Sequence, residues 1–411
     1  MTDRARTRAP SRPPEPRMRV FTPSSVPIGR ASGRGCVHTQ APGVAAPGSG
    51  RIALYTEAIR HTRPGAAMTH ASRPHPEDPS GTSPATLDAT ELARAGDIID
   101  QITSHVRLRI IGQDDLTQAL LITLMARGHI LIESVPGLAK TTAAKTLASA
   151  VNASFARIQC TPDLMPSDIV GTQIFSMSSG HMTTQLGPVH ANFVLLDEIN
   201  RSSAKTQSAM LQAMEERQVS IGGTDYPLPA PFMVMATQNP IEEEGTYVLP
   251  EAQMDRFLLK TVLPYPTPSD EIAVVAAHAA GSFDADLPEG TVTTEDIATL
   301  QGYCARVYVH PSIQTYIVDL INTTRGGGPS PIPGLMANLR MGASPRGSLA
   351  LMRAAQAHAL LAQRSYVIPD DVTATRHAVL RHRIVRTYDA IAQGISPESI
   401  IDSVFQVVPV P

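Results

Sequence analysis

The chain is poor in sulfur chemistry. Its three cysteines, Cys36, Cys160 and Cys304, lie far apart with no C-x-x-C pair. That excludes a disulfide framework and a cysteine-rich zinc site, and it fits a reducing, cytoplasmic setting. No run of about 18 apolar residues occurs, so no transmembrane segment is expected, and the N-terminus lacks the continuous apolar stretch of a secretory signal. Lysine is missing from residues 1–86, where twelve arginines face five acids. This leader carries +7, and since the 411-residue chain totals −3, residues 87–411 carry −10. An acidic body argues against nucleic acid as the main partner, because phosphate contacts need a surplus of Lys and Arg.

Proline is concentrated where regular structure is absent. Thirteen of the 35 prolines fall in residues 1–86, in stretches such as "APSRPPEPR" and "ASRPHPEDPSGTSP" that keep neither a helical nor a strand period. Residues 1–86 therefore read as a disordered extension. It is either a floppy segment upstream of a later start at Met68 or a basic tether for an acidic partner. From Ala89 onward the pattern turns regular. "ATELARAGDIIDQITSHVRLRI" has helical spacing, and a second helix restarts after Gly112. The runs "HILI", "FARIQC", "NFVLLD" and "FMVMAT" read as buried strands alternating with helices, which implies a parallel sheet covered on both faces. After Pro264 the strands are expected to stop. The remainder reads as four helices, roughly 269–281, 294–307, 311–324 and 344–383, the last broken at "SYVIPDD". The expected domains are an α/β nucleotide-binding domain over 87–264 and a helical one over 265–411.

Chemistry concentrates at the ends of the strands. "ILIESVPGLAKTT" is an apolar strand, a proline–glycine turn and a helix start, the context in which backbone N–H groups point at a bound anion. Lys140 would reach the β and γ phosphates, and the hydroxyl of Thr141 would ligate Mg²⁺. Gly137 supplies freedom of φ in the turn, and Ala139 is small enough to let phosphate approach. Ser134 replaces a usual glycine and can serve if its φ is negative. About 55 residues on, "NFVLLDEINR" ends a buried strand with two carboxylates at the edge where open α/β sheets bind ligands. Asp197 would hold Mg²⁺ and Glu198 would polarise the attacking water. "FMVMATQNP" ends a further strand in Gln238 and Asn239, neutral amides suited to holding a water near the γ phosphate. In "LPEAQMDRF" Arg256 has the fixed charge and fork geometry for a γ phosphate of a neighbouring subunit. In "GASPRGSLALM" Arg346 sits in the first turn of a helix, where a cation is unfavourable unless an external anion meets it.

The ordered series "IIGQ", "VPGLAKT", "LLDEINR", "AKTQSAMLQAMEERQV", "ATQNPIEEEGTYVLPEAQMDRF", "GASPRGSLAL" and "VLRHRI" resembles the MoxR family of AAA+ ATPases over residues 90 to 405. The resemblance implies a P-loop NTPase core with a five-stranded parallel sheet in an αβα sandwich, followed by an all-helical lid. It implies a homo-oligomeric ring, usually a hexamer, with ATP and Mg²⁺ between adjoining subunits. Carried over, Pro136, Gly137, Leu138, Ala139, Lys140, Thr141 and Thr142 belong to Walker A, and Asp197 and Glu198 to Walker B. Asn239 corresponds to sensor 1, Arg256 to the arginine finger and Arg346 to sensor 2, while Ile111 and Gly112 would line the adenine pocket. An insert over about Gly171 to Gly187 and a hairpin at "QVSIGGTDYPL" would face the pore of the ring. "SMSSGHMTTQLGPVHAN" lacks the aromatic residues usual in that insert and has His190 where Phe is typical.

Three functions follow in order of preference. The first is a chaperone-like ATPase that remodels a client awaiting maturation or cofactor insertion, with a von Willebrand factor A-domain partner, as the resemblance implies. The second is a nucleotide-gated scaffold whose output is recruitment. The third, a nucleic-acid motor, is disfavoured by the acidic body and the lack of a basic, aromatic pore segment. Lone residues need no special role: His358 and His377 have no partner at ligand spacing, and Met210 and Met214 read as helix core. Arg201 and Lys205 are solvated charges or contacts across a subunit interface.

Overall fold

The computed structural model describes residues 86–411 apart from 136, 179, 240–246, 248, 282, 284–287 and 289. Cys36 and the expected disordered extension, save Thr86, lie outside the described residues, as does Pro136. The first half of the described chain runs α1 (Ala89–Arg107), α2 (Asp114–Met125), β1 (Ile130–Glu133), α3 (Lys140–Ala150), β2 (Phe155–Gln159), α4 (Pro166–Val170), β3 (Gly171–Ser176), β4 (His181–Leu186) and β5 (Phe193–Asp197). It continues through α5 (Ala204–Glu216), β6 (Gln218–Ile221), β7 (Thr224–Pro227), β8 (Met233–Gln238), α6 (Glu251–Met254) and β9 (Leu259–Val262). The C-terminal part comprises α7 (Pro268–Ala279), α8 (Thr294–Arg306), α9 (Pro311–Thr324), α10 (Leu335–Asn338), β10 (Leu339–Met341), α11 (Pro345–Leu361), α12 (Pro369–Leu380), β11 (Val385–Arg386), α13 (Tyr388–Ala392) and α14 (Pro397–Val407).

Five strands form one sheet in the order β2-β5-β8-β1-β9, with every neighbouring pair parallel. Strand β5 is buried along its whole length, and β8 through all but its last residue. A continuous apolar run is what a strand needs when both of its faces are covered. Alternate residues divide between two cores. Ile130, Ile132, Phe193, Leu195, Met233 and Met235 pack with α1, α2, α3 and the C-terminal helices. Leu131, Val194, Leu196, Val234 and Ala236 pack with α5 and the segment around β6. The period of two thus produces the αβα sandwich directly.

Parallel pairing puts all strand C-termini on one edge of the sheet and all N-termini on the other. The phosphate-loop strand β1 lies between β8 and β9, two places from β5. Its C-terminal edge is therefore lined by the residues after Glu133, Asp197 and Gln238. Two antiparallel hairpins extend from this core at the places expected of the insert and the second hairpin, β3–β4 and β6–β7.

Some elements differ from the sequence expectation. The fifth strand, β9, escapes a reading by hydrophobic run because it is four residues long and contains Lys260, whose ammonium meets Glu133 at 2.6 Å. Strands do not stop after Pro264: β10 and β11 make a short antiparallel ladder inside the C-terminal part. Elements of three and two residues carry no period to detect. The break expected within 344–383 is there, between α11 and α12, but the helices do not end at residue 383, since α13 and α14 follow. At the break, Arg364 Nη1 donates to Asp371 Oδ2 at 2.7 Å and His358 Nδ1 lies 2.6 Å from Asp371 Oδ1. Burial would raise the Asp371 carboxyl, but these hydrogen bonds outweigh it and hold it down to about 2. His358 and His377 are thus not partnerless, since His377 meets Asp402 at 2.8 Å. Met210 and Met214 are core, as expected.

Candidate functional site

Strand β1 delivers the chain to the loop at its C-terminal edge. Ser134 is buried, its N–H donates to Gln238 O at 3.2 Å, and its φ lies outside the left-handed region. It therefore meets the one condition set for a residue replacing glycine. Gly137 has φ 87, and a Cβ there would meet nothing within 4 Å. The unusual residue is Ala139, with φ 51 and ψ 20 at the N-cap of α3. Its small side chain suits phosphate approach, but the position also demands a left-handed backbone, which costs an L-residue about 1–2 kcal/mol. No side chain caps α3. Its first-turn N–H groups therefore point outward with the helix dipole behind them, the arrangement that receives an anion. Leu138 is buried under the turn, while Lys140, Thr141 and Thr142 are half-buried in the first turn of α3.

The acid pair converges on this turn. Lys140 Nζ donates to Ser134 O at 3.3 Å. Partial burial lowers the Lys140 ammonium from its ordinary value, and the charges of Asp197 and then Glu198 act against that shift. Asp197 is buried and accepts from Thr237 Oγ1 at 2.8 Å through Oδ1, and from Arg157 Nε at 3.2 Å through Oδ2. Glu198 has φ 57, and its N–H donates to the same Thr237 hydroxyl at 2.8 Å. Its carboxylate accepts from Arg201 Nη1 at 2.9 Å and Gln159 Nε2 at 3.2 Å. Arg201 is therefore engaged with the acid pair inside the chain. Asn239 is buried at the end of β8, next to this group in sequence.

These residues fit a magnesium nucleotide. One carboxylate, one threonine hydroxyl and a lysine beside an uncapped helix start are the donors through which Mg²⁺ is usually held together with substrate phosphates. Among the described residues no group of three or more His, Cys, Asp or Glu could hold a metal by itself. A cavity of about 300 Å³ lies between the start of α2 and the segment after β9, lined by Gly112, Gln113, Leu263, Tyr265 and Asp270 among others. Gly112 has φ 69 there. Ile111, half-buried, is not among the lining residues.

Arg256 and Arg346 stand elsewhere. Arg256 Nε lies 3.0 Å from Glu215 Oε2, an ion pair whose angles fall short of a hydrogen bond. Arg346 donates to the other oxygen of Glu215. Helix α5 leaves the C-terminal edge after Asp197 and returns to the N-terminal edge, so Glu215, near its end, is about 17 Å along the helix from its start. Both arginines line a cavity together with Gly128 and His129, which precede β1, and Leu258, which precedes β9. A single chain thus brings Lys140, Asp197 and Glu198 together and places Arg256 and Arg346 at the other edge.

Three features escaped the residue reading. Thr237 ties the ends of β5 and β8, yet a threonine in "VMATQNP" carries no signal of that role. Arg157 and Gln159 alternate on β2 as polar residues two apart, a pattern that marks an edge strand facing the acids. In the insert, Phe175 and Met182 pair across β3–β4, are each about half exposed, and adjoin Met177 at 92% exposure. The aromatic residue is one place before the stretch that lacks any. The buried thiols Cys160 and Cys304 are each pushed up to about 12, by burial first, and are inert as nucleophiles. No helix among the described residues is long and apolar enough to cross a membrane.

Comparison with known proteins places this geometry in context. Residues 129–259 match the ATPase family associated with various cellular activities (AAA), and residues 336–404 match the AAA lid domain. The chain is 44% identical to Chaperone MoxR1 of Mycobacterium tuberculosis over 342 residues, covering 83% of this chain and 88% of that protein. It is 42% identical to protein YeaC of Bacillus subtilis over 314 residues, covering 76% and 95%. A crystal structure from Cytophaga hutchinsonii, assigned there as a candidate ATPase, superposes with a TM-score of 0.72 at 39% identity, covering 78% of this chain and 97% of that one.

Proposed function

Because the chain belongs to the MoxR family of AAA+ ATPases, we propose that it hydrolyses ATP with Mg²⁺ at sites shared between adjoining copies, and uses that cycle to remodel a client protein in a chaperone-like role. The observation that carries the reading is the convergence at an uncapped helix start: Lys140 Nζ donates to Ser134 O, Ser134 N–H donates to Gln238 O, and the hydroxyl of the adjacent Thr237 holds Asp197 and the Glu198 N–H. Lys140, the α3 N–H groups and the turn Gly137–Ala139 bind and orient the triphosphate. Thr141 and Asp197 would hold Mg²⁺, which when bound draws charge from the phosphate oxygens. Glu198 orients the attacking water and accepts its proton, and Asn239 holds that water without adding charge. Arg256 and Arg346 reach the triphosphate from the next copy. Gly112 lies at the base-binding side.

A ring, hexameric as the family resemblance implies, is part of this reading, and the distance between the two halves of the site supports assembly of adjoining copies. A von Willebrand factor A-domain protein as partner, a client awaiting maturation or cofactor insertion and a cytoplasmic location belong to the same proposal. The exposed pair Phe175 and Met182 with Met177 is apolar surface suited to an unfolded segment. The purified chain is expected to turn over ATP only with Mg²⁺. Lys140→Ala should abolish binding and turnover, and Glu198→Gln should retain nucleotide while slowing turnover by at least about a hundredfold. A wild-type assembly that binds ATP but never releases phosphate, with or without partner, would sink the enzymatic reading.

A further inference from the structure

The cavity around Arg256 and Arg346 holds more positive charge than those two residues need to supply. It measures about 310 Å³ and is lined by six arginines and two carboxylates. Arg383 is paired with Asp255 at 2.9 Å, and Glu215 is shared by Arg256 and Arg346. Arg127, Arg217 and Arg353 make no ion pair among the described residues. In a body that carries −10 outside its leader, this is a local excess of positive charge.

Arg217 is the most constrained of the three. It caps the C-terminus of α5 with φ 53, and its Nη2 donates to Arg127 O at 2.7 Å, which fixes the guanidinium at the wall of the cavity. Burial lowers it from its ordinary value, and the like charges of Arg127 and Arg353 lower it further. A helix C-terminus favours one cation. That accounts for Arg217 alone and leaves the repulsion among the three uncompensated. On α11, Arg346, Leu349, Ala350 and Arg353 fall at helical spacing on one stripe, and all four line the cavity. Arg353 therefore faces the same space as Arg346 two turns earlier.

We propose that Arg217 and Arg353 extend the Arg256–Arg346 pair into one anion-receiving cavity, and act on the polyphosphate of the nucleotide held at Lys140 of an adjoining copy. The proposal rests on the shared-site reading above and adds two residues to it. Arg217, held by the Arg127 carbonyl, presents its remaining N–H groups at a fixed position. Arg353, exposed and unpaired, follows the phosphates as charge moves toward the leaving group.

The test is steady-state ATP turnover of full-length Arg217→Ala and Arg353→Ala, each alone and mixed in equal amounts with Lys140→Ala. A Lys140→Ala copy has no working loop but an intact cavity, so it can serve the loop of a neighbouring variant. Each arginine variant alone should lose on the order of tenfold in kcat, with KM for ATP changing far less. Mixing should recover part of the loss, and Arg217→Lys should retain more turnover than Arg217→Ala. Wild-type turnover in both alanine variants would overturn the proposal. So would a loss that mixing does not repair while a parallel mixture of Arg256→Ala with Lys140→Ala does recover, since the defect would then be one of folding. If that parallel mixture fails as well, the shared-site reading itself falls, and the added residues fall with it.

Discussion

The two edges of the central sheet are chemical opposites. At the C-terminal edge the chain sets two carboxylates and one lysine at the start of an uncapped helix. At the N-terminal edge it sets six arginines and two carboxylates around an open cavity. The four residues of β1 alone separate them by about 13 Å, and α5 carries Glu215 farther still. The first edge has the phosphate loop, but its arginines Arg157 and Arg201 are already engaged by Asp197 and Glu198; the second has arginines and no phosphate loop. Under the proposed function, a copy of the chain would draw Arg256 and Arg346 from its neighbour, and assembly would be a chemical requirement of turnover.

Changes at the two edges should therefore fail in different ways. Among changes that leave Lys140 in place, the largest effect is expected at the cation-rich edge. Arg256→Ala should lower kcat by about a thousandfold while leaving equilibrium ATP binding by the loop nearly intact, as measured by fluorescent-nucleotide titration. A loss of affinity equal to the loss of kcat would place Arg256 on the ground state instead. A smaller effect belongs to the acid edge. Thr237→Val keeps the shape but strips a hydrogen-bond donor from buried Asp197 and an acceptor from the Glu198 N–H. It should cost about 1–3 kcal/mol in denaturant unfolding and weaken the Mg²⁺ dependence of ATP binding, effects that no substitution at the arginine edge should reproduce. The smallest concerns Ala139. Glycine there removes a left-handed penalty of about 1–2 kcal/mol and restores about 0.5–1 kcal/mol of unfolded-state freedom. Unfolding should shift by about 0–1.5 kcal/mol toward stability, and a clear destabilisation would mean the left-handed turn carries no strain.

The acid edge could be read from the sequence because its parts are local. A strand, a turn and a helix start are contiguous in "ILIESVPGLAKTT", and the acids end an unbroken apolar run. The arginine edge could not, because its residues come from the ends of α2, α5, α6 and α12 and from α11, and only folding brings them together. Arg256 and Arg346 were legible singly, by analogy and by the oddity of a cation at a helix start. Their sharing of Glu215 was not, since nothing in "AMEERQV" and "GASPRG" links two segments 131 residues apart. The same distinction explains the elements. Five-residue apolar strands announce themselves, while β9, β10 and β11 are too short or too charged to show a period. Thr237 remained hidden because a buried hydroxyl linking two strand ends looks, in sequence, like any strand threonine.

The most direct measurement is turnover in mixed assemblies of Lys140→Ala and Arg256→Ala. Each variant alone should be nearly inactive, one lacking the loop and the other the cation presented to its neighbour. Mixed, they should form interfaces in which an intact loop meets an intact arginine, and phosphate release should return to a fraction of the wild-type rate that rises with the share of such interfaces. A mixture that stays as inactive as its components, though the subunits co-assemble, would contradict a site divided between copies.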